Sequence, residues 1–211
     1  MKKRISFLCL ILTAAALISC NLGKGAQENK EIITFQLTPS SDGTEAFLEL
    51  LGDNDPKGYE TDTCYRVSPE SVAETYGFEI YKFDASCGSF LLYENQIYPL
   101  GTWFGGLGAT SFAVADLNSD GHEELYFTFS WGSGLHHSMA GYFDTEDREI
   151  KSFELEHVDK DSVLTADEEN NLWIYSADCE GTSFVDLKLT PKTKLGAIRF
   201  ESGEITFSSV H

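Results

Sequence analysis

The stretch DLNSDGHEE, Asp116–Glu124, lies between two runs of apolar residues that alternate with small or polar ones. Phe112 and Val114 precede it, and the period-two run Leu125–Phe129 follows it. A period of two is typical of β-strands, because successive side chains point to opposite faces of a sheet. The stretch is therefore predicted to be the loop of a β-hairpin.

The polar residues of this loop have the spacing of a calcium site. Asp116, Asn118 and Asp120 place a side-chain oxygen at every second position, Gly121 permits a turn, and Glu124 adds a carboxylate. A hard cation such as Ca²⁺ takes about six to eight oxygen ligands, so this spacing predicts bound calcium. The alternative is a loop rich in Asp and Asn that satisfies its own backbone N–H groups without metal.

The wider segment 103–130 resembles an FG-GAP or VCBS repeat, the unit of integrin-like β-propellers, through FGGLG at Phe104–Gly108 and FAVADLNSDG at Phe112–Gly121. In that family the loop joins two strands of a propeller blade and binds calcium. The resemblance implies a ligand set made of the side chains of Asp116, Asn118, Asp120 and Glu124 and the backbone carbonyl of His122. One good copy is present, so a complete propeller is not expected. Phe127 at the twelfth loop position and the strand flanks exclude an EF-hand.

The segment that follows, WGSGLHH at Trp131–His137, is the candidate ligand surface, with Trp131, Ser133, His136 and His137 as its functional residues. Adjacent residues on a strand point to opposite faces, so one metal ion could not easily bind both histidines. A serine near a histidine suggests a hydrolase, but the surrounding glycines lack the nucleophile-elbow pattern. A wide hairpin packed by Trp131 is the third interpretation.

The remaining patterns predict a mainly β domain with one or two short helices in its N-terminal half. The helices are Thr44–Leu51 and a segment that begins at Ser68-Pro69, with Ser68 as the cap, and ends at Tyr76 before Gly77. Short period-two segments separated by turns predict antiparallel sheets, arranged like propeller blades or like a sandwich. These segments are Ile32–Leu37, Phe78–Phe83, Phe90–Tyr93, Gln96–Leu100, Met139–Phe143, Glu149–Leu155, Leu172–Ser176, Val185–Leu189, Leu195–Phe200 and Ile205–Phe207.

Residues 1–19 have the pattern of a signal peptide, with a basic head at Lys2–Arg4 and an apolar run at Ile5–Ile18. The run ends at Cys20 in a sequence that resembles a bacterial lipobox, which implies cleavage and acylation of Cys20, for example by palmitate. The predicted product is an extracytoplasmic lipoprotein anchored to a bacterial membrane. Residues 20–30 form its lipidated Cys and flexible tether, and residues 31–211 form a single β-rich domain.

The chain is strongly acidic, with a formal net charge of −19. Such a surface repels nucleic acids and anionic headgroups, so the membrane is expected to be contacted through the N-terminal lipid only. The acidity fits either solubility or an acidic docking face for a cationic partner. Of the mature cysteines, Cys64 and Cys87 are the predicted disulfide pair, with Cys179 as an alternative partner.

Together these features favour a lipid-anchored binding or interaction module with a structural calcium loop and a protein or glycan partner. The alternative is a cell-envelope hydrolase that uses the Trp131–His137 region. A purely structural envelope component is a third possibility.

Overall fold

The structure is a computed structural model and describes residues 31–52, 62–101, 105–158 and 160–210, with the backbone alone at residues 156–158. The predicted signal peptide, the lipidated Cys20, the tether, and Trp103 and Phe104 of the repeat-like segment lie outside these ranges. So does the turn that the sequence indicates at Asp53–Gly58.

The described residues form two helices and thirteen strands, which confirms the predicted mainly β class. The helices are α1 (Thr44–Leu51) and α2 (Glu70–Tyr76). The strands are β1 (Ile33–Phe35), β2 (Cys64–Arg66), β3 (Glu79–Phe83), β4 (Ser89–Tyr93), β5 (Gln96–Pro99), β6 (Gly108–Ala115), β7 (Glu124–Trp131), β8 (His137–Asp144), β9 (Glu149–Val158), β10 (Asp161–Ala166), β11 (Leu172–Ser183), β12 (Asp186–Glu201) and β13 (Glu204–Ser209).

These strands pair antiparallel in three sheets. The central sheet has the order β1-β6-β7-β8-β9, the N-terminal sheet β2-β3-β4-β5, and the C-terminal sheet β10-β11-β12-β13. The hairpin β6–β7, whose loop is the acidic stretch, therefore lies inside the central sheet.

The central sheet is covered on both faces, so the molecule is a stacked, sandwich-like structure. Phe127 of β7 belongs to the core that contains Ile80 of the N-terminal sheet. Tyr126, the preceding residue, points to the opposite face and belongs to the core that contains Ile174 of the C-terminal sheet. Because both faces are covered, every residue of β6 is buried, as is every residue of β7 except Trp131.

Two predicted turns have the backbone geometry that their residues favour. Glu94 and Asn95 have φ values of 47° and 61°, and Ser202 and Gly203 have values of 55° and 92°. Positive φ at both central residues suits the twist of a two-residue hairpin. These turns join β4 to β5 and β12 to β13, as predicted.

The start of α2 differs from the prediction. The cap position is Pro69 rather than Ser68, and no side-chain cap hydrogen bond forms. The Ser68 hydroxyl instead accepts a 3.1 Å bond from the backbone N–H of Ile80. The Ser68 hydroxyl is therefore bonded to β3, although its capping propensity predicts a bond to the start of α2. The helix ends as predicted, with Gly77 in the left-handed conformation.

Strand β10 is held across the hairpin β6–β7 by buried hydroxyl groups. Thr110 Oγ1 and Thr128 Oγ1 donate to the carbonyl of Ser162 at 3.1 and 3.0 Å. The backbone N–H of Leu164 donates to Ser111 Oγ at 2.9 Å. Satisfied polar groups of this kind fix the orientation of two layers where apolar packing alone would tolerate sliding.

Candidate functional site

The acidic loop between β6 and β7 is a closed network of side-chain oxygens and backbone N–H groups. Asp116 accepts from the N–H groups of Asp120 at 3.1 Å and Gly121 at 3.0 Å. Asn118 Oδ1 accepts from the Asp120 N–H at 3.1 Å, and Asp120 Oδ1 from the His122 N–H at 2.7 Å. These bonds turn the three predicted side-chain ligands of the loop toward its own backbone.

Glu124, the last predicted side-chain ligand, is the buried member of the set, with 2% of its surface exposed. Burial raises the pKa of its carboxyl group to about 7, and the negative charges of Asp120 and Asp116 act in the same direction. The Tyr126 hydroxyl donates a 3.0 Å bond to Glu124 Oε2, which favours the ionised form. A cation beside this carboxylate would offset both the burial and the repulsion.

The acidic loop contains donor atoms of the type that calcium binds, but its side chains are not arranged around a common metal position. Within the described residues, no group of three or more His, Cys, Asp or Glu side chains is arranged to hold a metal ion. A carboxylate offers about four lone-pair sites, so an Asp that accepts one N–H bond can still ligate a cation. The donor types therefore fit calcium, and the hydrogen-bond pattern equally fits the metal-free alternative.

Two of the predicted surface residues, Trp131 and His137, lie side by side on paired strands. They are directly opposite each other in the β7–β8 register, and their rings stack with centroids 4.5 Å apart. They line a groove of about 400 Å³, here called the Trp131 groove. Its walls are Trp131, His137, Ser138, Met139, Ser152, Phe153, Glu154 and Leu155. This volume lies within the range of about 300–1,000 Å³ that small-ligand sites occupy.

The other two predicted surface residues point elsewhere. His136 Nδ1 lies 3.0 Å from Asp161 Oδ1, at the start of β10. Ser133 is exposed at the tip of the loop, and Ser138 Oγ donates a 2.6 Å bond to the carbonyl of Lys160. The described residues therefore show a contact between His136 and Asp161 but none between His136 and Ser133 or Ser138.

A second groove, of about 450 Å³, lies between the central and C-terminal sheets beside the acidic loop. This Phe200 groove is lined by Asn118, Tyr142, Asp144, Asp147, Lys151, Phe153, Phe200, Gly203, Glu204 and Ile205. The Lys151 ammonium lies 2.8 Å from the carboxylates of both Asp144 and Asp147. Phe200 is 43% exposed, which leaves an aromatic side chain open to solvent at the rim.

The cysteines of the predicted disulfide lie in the N-terminal sheet. Cys64 pairs with Phe83 in the β2–β3 register, Cys87 lies in the turn between β3 and β4, and both side chains are buried. Cys179, the alternative partner, lies on β11 opposite Leu189. The bridge between Cys64 and Cys87 stays a prediction.

Several residues of the grooves and their surroundings have no predicted role. Phe153 and Phe200, which line the grooves, are predicted strand residues without a role, and Asp161, which lines neither groove, belongs to no predicted element. The alternation of Phe153 with the polar residues Ser152 and Glu154 indicates a strand that is only partly covered, which is the one sequence signal for the grooves. Asp161 approaches His136 from 25 residues away, which no local pattern encodes.

Comparisons of the chain with models of protein families, with curated proteins and with solved structures find no match. In the part of the chain that the structure describes, no helix has the length and apolar character needed to cross a membrane.

Proposed function

We propose that this chain is a lipid-anchored, extracytoplasmic binding module that recognises its partner at the Trp131 groove and uses a calcium ion to stabilise the neighbouring hairpin. The observation that carries the proposal is the stacked pair of Trp131 and His137 in a groove of about 400 Å³. Aromatic rings bury a large area at small conformational cost, which is why they dominate binding sites.

The hairpin β6–β7 links the acidic loop to the groove. Strand β7 begins at Glu124, a predicted ligand of the ion, and ends at Trp131. Thr145 Oγ1, in the turn that follows β8, donates a 3.3 Å bond to the carbonyl of Glu123. An ion in the loop would thus stabilise the ends of β7 and β8 that lie beside the acidic loop. The partner binds at the opposite ends of the same strands, at Trp131 and His137.

The cellular location in this proposal comes from the N-terminal sequence. The basic head, the apolar run and Cys20 follow each other in the order of a lipoprotein signal. A single acyl chain binds membranes only marginally, so stable anchoring needs more than one chain on Cys20. The acidic domain would then stand off an anionic membrane surface and face soluble or envelope partners.

Calcium is expected to bind the purified domain with a Kd of about 10⁻⁴–10⁻³ M, as in other extracellular modules. At about 10 mM calcium, mass action then stabilises the folded state by about 1.4–2.7 kcal/mol. Calorimetric titration and thermal unfolding measure both effects. The double variant Asp116→Asn/Glu124→Gln should lose them, whereas Asp178→Asn, an exposed carboxylate paired with Lys192, should not. Absence of both heat and stabilisation in the wild type would favour the metal-free loop.

Partner recognition is tested by capture from bacterial cell envelopes with the immobilised domain. Wild type is expected to retain a defined partner, and Trp131→Ala should reduce the captured amount about tenfold or more, as for a binding hot spot. Trp173→Ala is the matched control, because Trp173 is a partly buried Trp on the C-terminal sheet, covered by the Lys194 ammonium at 3.5 Å.

The same capture is repeated with a calcium chelator. Because the proposed ion stabilises the hairpin and does not touch the partner, the chelator should weaken capture less than Trp131→Ala does. Equal capture by wild type and Trp131→Ala would remove the groove from the proposal.

A further inference from the structure

Strand β9 forms one edge of the central sheet. It spans Glu149–Val158, and among the described strands it pairs with β8 alone. The opposite edge is β1, with 3 residues, whereas β9 has 10. An edge strand presents a row of unpaired N–H and C=O groups, to which another extended chain can add.

The two grooves meet at this edge and reach different faces of the sheet. Lys151 is opposite Tyr142 in the β8–β9 register, and both line the Phe200 groove toward the C-terminal sheet. Glu154 is opposite Met139, and both line the Trp131 groove on the other face. Phe153 lines both grooves, and Leu155, which packs with it in the core toward the C-terminal sheet, lines the Trp131 groove. The Trp131 groove therefore extends around the edge of β9 and meets the Phe200 groove there.

This arrangement matches the requirements of recognition by strand addition. In that mode, main-chain hydrogen bonds to the edge provide affinity, and pockets for alternate side chains provide specificity. A strand laid against β9 would direct successive side chains to opposite faces, and therefore alternately toward the Phe200 groove and the Trp131 groove.

The charges around β9 select a basic strand. The surrounding carboxylates are Glu149, Glu154 and Glu204, together with Asp144 and Asp147, which pair with Lys151. Arg148, in the turn before β9, pairs with Glu94 instead. Lys151 also shows how a bound ammonium group is held. Its Nζ atom lies 2.8 Å from the carboxylates of both Asp144 and Asp147, and 5.8 Å from the centre of the Tyr142 ring.

A second copy of this chain is a poor occupant of the same edge. The chain carries a net charge of −19, and Glu149 and Glu154 are exposed on β9 itself. Pairing of two β9 strands would join two edges that each carry these carboxylates, and like charges directly opposite each other on paired strands are destabilising. Charged residues on an edge are a common device against self-pairing.

We propose that β9 accepts an extended segment of a partner protein that carries basic side chains, by addition of that segment to the edge of the central sheet. The two grooves receive its alternate side chains. This inference rests on the proposed binding function and deepens it, because it names the class of partner that enters the Trp131 groove.

The test is hydrogen–deuterium exchange of the domain with a fluorescein-labelled synthetic peptide in which lysine alternates with valine or phenylalanine. The peptide is expected to protect backbone amides in residues 149–158 and to bind saturably in fluorescence anisotropy. A peptide with glutamate in place of lysine should not bind. A lysine peptide N-methylated on the amides of one edge, matched for charge, should bind about tenfold more weakly, because main-chain bonds provide the affinity.

Charge reversal of the edge supplies the protein-side test. Glu149→Lys/Glu154→Lys is expected to weaken peptide binding about tenfold or more, as loss of electrostatic complementarity does at charged interfaces. Glu168→Lys/Glu169→Lys, in the exposed turn before β11, makes the same change in net charge and should leave binding nearly unchanged. Similarly, Phe200→Ser should weaken binding, whereas Leu50→Ser, an equally exposed apolar residue on α1, should not.

The outcomes separate this inference from the proposed function. Peptide binding without protection of β9, equal binding of the glutamate peptide, or protection of β9 by self-association without peptide would each overturn strand addition of a basic segment. If β9 fails these tests while Trp131→Ala still abolishes envelope capture, the binding function stands and the inference falls. If the peptide protects β9 while Trp131→Ala leaves envelope capture intact, the assignment of the groove to that partner fails instead.

Discussion

Replacement of Lys82 by methionine is expected to raise the free energy of unfolding at pH 7 by about 2 kcal/mol. Lys82 lies on β3 with none of its surface exposed, and its Nζ donates a 2.7 Å bond to the carbonyl of Ala109. Burial lowers the pKa of this amine to about 7, and the nearby acidic groups of Cys179, Cys87 and Asp161 oppose that shift without cancelling it. The charged form is therefore poorly accommodated in the folded protein.

The pH dependence has a definite sign. Between the folded pKa of about 7 and the ordinary value of 10.5, the unfolded chain binds more protons at Lys82 than the folded chain does. The free energy of unfolding therefore rises with pH across that window. It decreases again as the pH falls toward 7, where the penalty for burying Lys82 is larger. A shift of this size corresponds to at most about 4–5 kcal/mol. Methionine removes this penalty but leaves the Ala109 carbonyl without its donor, which costs about 1–3 kcal/mol.

Urea unfolding of wild type and Lys82→Met from pH 7 to pH 9 measures the effect. The stability advantage of the variant should shrink as the pH rises, because the wild-type penalty decreases. The measurements end near pH 9 because burial raises the pKa of Cys87 and Cys179 above their ordinary value of 9.0. Above that pH, these two thiols add their own pH dependence to the free energy of unfolding. Lys188→Met, at an exposed lysine on β12, is the control. A constant difference between wild type and Lys82→Met would show that Lys82 does not titrate in this range.

Sequence patterns predicted the hairpins well because their signals are local. The alternation around Asp116–Glu124 marks β6 and β7, and two-residue turns such as Ser202-Gly203 have residues suited to positive φ. The burial of β6 and β7 on both faces could not be read in this way. Polar residues such as Thr128 alternate with Phe127 and Phe129, which suggests one solvated face, yet Thr128 is fully buried and satisfied by hydrogen bonds to the next layer.

The C-terminal sheet shows where period-two reasoning fails. The pattern predicts separate strands at Val185–Leu189 and Leu195–Phe200, but β12 runs continuously over Asp186–Glu201. The intervening residues are polar and include Pro191, and register shifts in this part of the β11–β12 pairing accommodate the proline. Strand β10 was missed because Ser162 and Thr165 weaken its apolar signal, whereas its contacts with β6 and β7 are tertiary.

The geometry of the proposed binding surface follows from the sequence only in part. Trp131 and His137 were chosen for their residue types, and the β7–β8 register brings their rings together. The divergence of His136 toward Asp161 follows from the alternation of neighbouring side chains, but its partner comes from a strand that had not been predicted. The grooves on both faces of β9 depend on how three sheets stack, so only the folded arrangement reveals them.

Replacement of Phe127 by alanine is expected to reduce the free energy of unfolding by about 4 kcal/mol, the typical cost of removing a fully buried aromatic ring. Phe127 has none of its surface exposed and belongs to the core between the central and N-terminal sheets. Its ring lies against Gly141, since a Cβ atom at that glycine would be 2.8 Å from Phe127 Cζ. The surrounding strands are hydrogen-bonded on both sides, so they can collapse only partly into the space left by the ring.

Urea unfolding measures this loss, with Phe200→Ala as the control. Phe200 is 43% exposed, so its removal should change stability by less than about 1 kcal/mol. A loss below about 2 kcal/mol for Phe127→Ala would show that the core is not enclosed by two layers. Because β7 joins the acidic loop to Trp131, Phe127→Ala should also weaken the response to calcium and partner capture together, whereas Trp131→Ala should affect capture alone.

Because the central sheet is covered on both faces, substitutions at Phe127 and on the opposite face should affect stability independently. Ile174 belongs to the core on the opposite face of the central sheet and shares no core cluster with Phe127. The milder substitutions Phe127→Leu and Ile174→Val should therefore have additive effects, within about 0.5 kcal/mol, because independent sites do not couple. Coupling well above that value would mean that the central sheet transmits strain between its two faces. In that case the Phe200 and Trp131 grooves, which share Phe153 and reach those two faces of the sheet, would respond to each other as well.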